Sequence, residues 1–123
     1  MTTHVLELDN AEAWHSANDR GHWSRGHRLT KHWRQLATIY ARKERIPALD
    51  RARIVVTFHK PTRRRYDPAN YYPTVKAIVD GLVDAGVLPD DDGLHLVGPD
   101  MRAGEPGPRR IVIEITAWPG EVP

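Results

Sequence analysis

The sequence predicts an α+β fold: one two-layer domain spanning residues 1–123, in which a mixed β-sheet packs against two main helices in the order β-α-β-α-β-β. Three observations carry this. The run Arg53 to Phe58 (RIVVTF) is β-branched and short, as a buried strand is. Two segments repeat apolar residues with helical spacing, at Trp33, Leu36, Ala37, Tyr40 and at Val75, Ile78, Val79, Leu82, Val83. Finally, 123 residues supply enough apolar surface for one core and hardly for two.

Taken in order, His4 to Leu8 (HVLEL) alternates polar and apolar residues and reads as a first strand. Asp9 to His27 is rich in Asn, Asp, Ser, His and Gly and reads as a loop, with Trp14 and Trp23 as its large apolar residues. Thr30 is placed to cap a helix running to about Arg45, which Pro47 then prevents from continuing. After the strand at 53–58, Asp67 and Pro68 have the chemistry of an N-cap and a first helical turn, and Ala85-Gly86 that of a stop. A turn at Pro89-Asp-Asp-Asp-Gly93 leads to a short strand near 94–97. A Gly- and Pro-rich loop over 98–108 follows, and Arg110 to Ala117 (RIVIEITA) closes the domain as a last strand.

Composition removes several classes of function. With no cysteine there is no disulfide framework, thiol nucleophile or thiolate zinc site, so any metal is held by oxygen or imidazole. The histidines do not form a ligand pair: His22, His27 and His32 are five apart, and no H-E-x-x-H pattern occurs. No apolar run approaches the roughly 18 residues of a bilayer span, and the first residues lack the basic start and apolar stretch of a signal peptide. A cytoplasmic location without membrane association is therefore expected. Hydrophobic residues at 40% and charged residues at 28% are those of a folding chain.

The net charge is only +2, but its distribution is uneven. Arginine and lysine concentrate at 25–45, 51–65 and 102–110, whereas Asp67, Asp80, Asp84, Asp90, Asp91, Asp92 and Asp100 form an acidic island. A basic chain with one acidic island can attract phosphates and hold a cation; it can equally be an unevenly charged solvated surface. Arg63, Arg64 and Arg65 stand where the strand at 53–58 leads toward the next helix, and a guanidinium grips phosphate oxygens as a fork. Asp90 to Asp92 put three like charges in one turn, which a counter-cation would relieve and which turn propensity alone also explains. Oxygen-only ligands favour Mg²⁺, with Mn²⁺ as a substitute. Lys76, Asp80 and Asp84 recur at i, i+4 and i+8 along one helix face; they are either a solvated charge row or, at Lys76, a cation aimed at a phosphate. A helix at 1.5 Å per residue puts Asp67 about 25 Å from the Asp90–Asp92 turn. The acids converge only if the loop folds back, strands pair suitably, or two copies associate. Trp14, Trp23 and Trp33 are candidates for stacking on unpaired bases or for the core.

The pattern R-R-R-x-D-P-x-N, then D-G-L-x-D-A-G-V-L and D-D-D, over Arg63 to Asp92, resembles the RusA family of phage and bacterial Holliday junction resolvases. The flanking layout agrees, with an N-terminal loop containing Asn18 and Arg20 and strands before and after. The resemblance implies a homodimeric, Mg²⁺-dependent endonuclease that resolves four-way DNA junctions by paired symmetric cuts. Asp67 matches the family's first catalytic aspartate and Asp91 its late one, with Asp90 beside it. Lys76 matches its functional lysine, although Tyr72 to Thr74 are extra residues before it. Arg63, Arg64, Arg65, Lys76 and Arg20 would contact DNA. Where the family often has a second acid, this chain has Ala69, so the metal site would be weaker, would recruit Asn70 or Asp80, or would be inactive. That departure motivates an alternative, a non-catalytic protein binding branched DNA. A third reading is an interaction protein whose basic face binds an acidic partner.

Overall fold

The computed structural model describes residues 2–9, 13–18, 23–121 and 123, and among these the chain forms one α+β domain with a four-stranded mixed sheet and two helices. The strands are β1 (Thr3–Leu8), β2 (Ala52–His59), β3 (Leu96–Ala103) and β4 (Arg110–Ala117). The helices are α1 (Trp23–Lys43) and α2 (Tyr72–Asp84), the latter preceded by a 3₁₀ turn, Pro68–Tyr71. The sheet order is β1-β4-β2-β3, with β4 antiparallel to β1 and β2, and β3 parallel to β2. That one parallel pair is joined through α2, as a parallel pair needs a crossover.

Alternation places the core. In β2, Ala52, Ile54, Val56 and Phe58 are buried; Ile111, Ile113 and Ile115 of β4 and Leu6 and Leu8 of β1 join them in a single cluster. Helix α1 adds Leu29, Trp33, Ala37 and Ala41, and α2 adds Val75, Ile78, Val79 and Leu82. Trp14 and Trp33 are therefore core residues, whereas Trp23 is exposed. The helices cross closely: a Cβ added at Gly81 would lie 2.2 Å from the Arg34 carbonyl oxygen.

Three boundaries differ from the sequence reading by more than two residues. Helix α1 begins at Trp23 rather than after Thr30, since Leu29 extends the buried stripe by one turn and Gly26 packs tightly against His15. The stripe runs Leu29, Trp33, Ala37, Ala41, with Leu36 and Tyr40 only partly buried at its border. Asp67 is an N-cap, but of the 3₁₀ turn, with α2 starting only at Tyr72. Strand β3 continues through Gly98 and Pro99 to Ala103, where a loop was expected. It is an edge strand, the place in a sheet where a missing N–H donor costs least.

Candidate functional site

Lys76 stands one turn into α2, and its ammonium donates to Asp80 Oδ1 at 3.0 Å, one turn further on. It also donates to Asp91 Oδ2. The second bond needs the chain to reverse. Gly86 at φ 82° ends the helix, Val87 and Leu88 bury their side chains, and Leu49 N–H donates to the Val87 carbonyl at 2.8 Å. The returning loop thus brings Asp91 to Lys76.

Within the turn the three aspartates divide their work. Asp90 Oδ1 accepts from the Asp91 N–H at 2.7 Å, and Asp92 Oδ1 accepts from the Leu94 N–H at 3.0 Å, both ordinary turn chemistry. Asp91 alone faces Lys76. The hydrogen bond from Lys76 holds the Asp91 carboxyl below the usual carboxylate range, and the same bond raises the Lys76 pKa against the opposing pull of burial. Tyr72, Lys76, Val79, Asp91, Leu96 and Pro99 line a cavity of about 100 Å³ here, room for a few water molecules. With Asp80 the group holds two carboxylates against one ammonium, a net negative charge.

Asp67 lies before the 3₁₀ turn, where its Oδ1 accepts from the Ala69 N–H at 2.9 Å and its side chain is exposed. The Asn70 carbonyl accepts from Ala17 N–H at 2.7 Å, tying the N-terminal loop to this turn. Arg63, Arg64 and Arg65 are exposed on the connection from β2. Arg20 lies outside the described residues. Among the described residues no three of His, Asp and Glu form a group that could hold a metal ion, so Asp67, Asp90 and Asp91 do not make one in this conformation. The acidic island is dispersed further: Asp84 pairs with Arg34, and Asp100 with Arg53 at 2.6 Å.

Sequence reasoning passed over two features. Tyr72 and Pro99 border the Lys76 cavity because β3 packs against the 3₁₀ turn that leads into α2, and no local spacing announces that. A second group, Lys60 and Arg109 over Trp14 and Tyr71, joins segments about fifty positions apart. Strand periodicity places Lys60 just beyond β2, but nothing in the sequence pairs it with Arg109.

No known family model matches the chain, and no curated protein matches it. Among the described residues no helix is long and apolar enough to cross a membrane.

Proposed function

We propose that this chain is a Mg²⁺-dependent endonuclease that resolves four-way DNA junctions by paired symmetric cuts, acting in the cytoplasm as a homodimer. The observation that carries the proposal is the contact between Lys76 and Asp91, the two positions that the resemblance marks as functional on separate segments. A packing requirement does not explain it, because Lys76 is 44% exposed and such a pair contributes little to stability.

The donor set suits a hard cation. Asp67 and Asp90 each spend one carboxylate oxygen on a backbone N–H and keep the other outside that bond. Drawn closer together than in the structure, they would hold magnesium, or manganese in its place, with Asp91 and the Asn70 side chain through oxygen alone. When bound, the ion supplies charge neutralisation and polarisation at the scissile phosphodiester. The chain's own residues orient and balance charge: Asp91 positions the Lys76 ammonium, and Lys76 stabilises negative charge on the phosphate as it develops. Arg63, Arg64, Arg65 and Arg20 attract the backbone and set its register. Two copies related by a two-fold axis match a junction that needs two symmetric cuts.

The test is cleavage of a synthetic four-way junction and a matched duplex at moderate salt with Mg²⁺, Mn²⁺ or EDTA. Symmetric nicks in the junction alone are expected, absent with EDTA and in Asp91→Asn. Asp67→Asn separates cap from ligand, since the amide oxygen still accepts from Ala69 N–H while the charge is gone. Undiminished cleavage in that variant would remove Asp67 from the site. Sedimentation of the free protein reads the dimer. The alternative, a non-catalytic binder of branched DNA, is favoured by Ala69 and by the lack of a three-acid group among the described residues. It predicts shape-selective binding with no product in any metal.

A further inference from the structure

Next to the 3₁₀ turn a cleft of about 540 Å³ is lined by Trp14, Ser16, Lys60, Thr62, Tyr71 and Arg109. Its two cations are held in place by aromatic rings. The Lys60 ammonium lies 4.4 Å from the Tyr66 ring centre and 4.7 Å from that of Tyr71, and donates to the Tyr71 hydroxyl. The Arg109 guanidinium lies 4.5 Å over Trp14. Those rings are themselves fixed: Trp14 packs edge-on to Phe58 and Tyr71, and the Tyr66 hydroxyl donates to the Phe58 carbonyl at 3.1 Å.

Among the described residues neither Lys60 nor Arg109 has a carboxylate partner, in contrast to Arg34, Arg53, Lys76 and Arg110. Ring quadrupoles attract a cation without neutralising it, so the cleft keeps two positive charges. Arg109 is exposed as a residue, yet partial burial of its guanidinium lowers its pKa, as expected where no anion compensates the lost water. Evenly solvated surface cations need no such scaffold. Two ring-held cations lining one cleft, with Thr62 and Tyr71 lining it too, form an arrangement complementary to an oxyanion.

We propose that the Lys60–Arg109 cleft is a binding site for a phosphate group, occupied by one phosphodiester of a nucleic-acid strand. The strand assignment rests on the DNA reading given above, whereas the phosphate chemistry does not. Tyr71 lines this cleft and the next residue, Tyr72, lines the Lys76 cavity, so a phosphate held here fixes the backbone beside the turn that carries Asp67. The cleft would then help to set where the strand meets the candidate site, beside the exposed Arg63–Arg65 run.

The experiment measures junction affinity by fluorescence anisotropy across a salt series for the full chain and for Lys60→Met, Arg109→Gln and the double variant, with Lys43→Gln as a remote neutralisation. The double variant is expected to weaken binding about tenfold or more and to reduce the slope of log K against log salt by about 1 to 2, as loss of one or two phosphate contacts requires. Lys60→Arg should restore the slope, and unfolding curves establish that each variant folds. Unchanged slope and affinity in the folded double variant would overturn the proposal. If the unaltered protein binds no DNA, the nucleic-acid reading fails separately, and titration with a nucleoside monophosphate, followed at the Trp14 indole N–H signal, decides the cleft. A saturable shift lost in the double variant retains the phosphate site with a free nucleotide as its source; no shift overturns it.

Discussion

The two halves of α2 carry ionic groups that look equivalent in sequence and are not. Lys76, Asp80 and Asp84 follow one another at helical spacing, yet Asp84 turns to α1 while Lys76, bonded to Asp80, turns to Asp91 on the returning loop. Asp84 accepts a fork from Arg34, with Nε to Oδ2 at 2.6 Å and Nη2 to Oδ1 at 2.9 Å, and the Arg42 guanidinium reaches its carbonyl. That pair is neutral, one charge against one, and stands beside the tightest point of the helix crossing at Gly81. The Lys76 group is unbalanced, two carboxylates against one ammonium, and Lys76 and Asp91 line a small cavity. A balanced fork at a packed crossing is what a structural clamp requires. An unbalanced group next to open space is what the proposed site would use to balance charge at a bound cation.

The sharpest break of this comparison is at Gly81. Gly81→Ala forces a methyl against the Arg34 carbonyl and the Ala37 side chain, so the helices must separate, and a loss of about 3 kcal/mol is expected in urea unfolding. A near-neutral result would mean that the crossing is loose and that the clamp reading of Asp84 is wrong. Next, Asp91→Asn is expected to lower junction cleavage at least about 100-fold, some 2.7 kcal/mol in barrier, while stability falls by less than about 1 kcal/mol. Asp84→Asn should show the reverse, about 0.5–1 kcal/mol of stability lost, discounted because both partners are more than a third exposed, with cleavage intact. If both variants lost activity alike, the division between the two halves of the helix would not hold.

A smaller effect lies in pH. Arg34 holds the Asp84 carboxyl, and Lys76 the Asp91 carboxyl, below the ordinary carboxylate range. A depressed folded-state pKa contributes stability that is present above the unfolded value, about 4, and lost as pH falls through the folded value. The urea midpoint should therefore stay level from about pH 5 to 8 and drop below about 4, with a shallower drop in Asp84→Asn. The raised Lys76 pKa works at the other end, its contribution being lost only in strong alkali. Smallest is Ala69→Asp, which adds a carboxylate on the exposed 3₁₀ turn and should lower the Mg²⁺ concentration needed for half-maximal cleavage by about threefold. No change would show that position 69 does not face the ion.

The features legible from the residues alone were those written in short-range chemistry. The β-branched runs made β2 and β4, the apolar spacing of Val75 to Leu82 made the buried face of α2, and Ala85-Gly86 ended it. Asp67 was legible as a cap because an Asx side chain reaches only two residues along its own chain. The extent of α1 and β3 was not legible, because Gly26 and Gly98-Pro99 weaken local propensity, and packing against His15 and pairing with β2 override it. The site divided the same way. Lys76 and Asp80 were readable as neighbours from their spacing, whereas the choice of Asp91 over Asp90 and Asp92 was made by the returning loop. The Lys60–Arg109 cleft was assembled from three distant segments. Contacts within one helical turn follow from backbone geometry alone; those between remote segments depend on how the sheet and helices pack, and only the tertiary structure decided them.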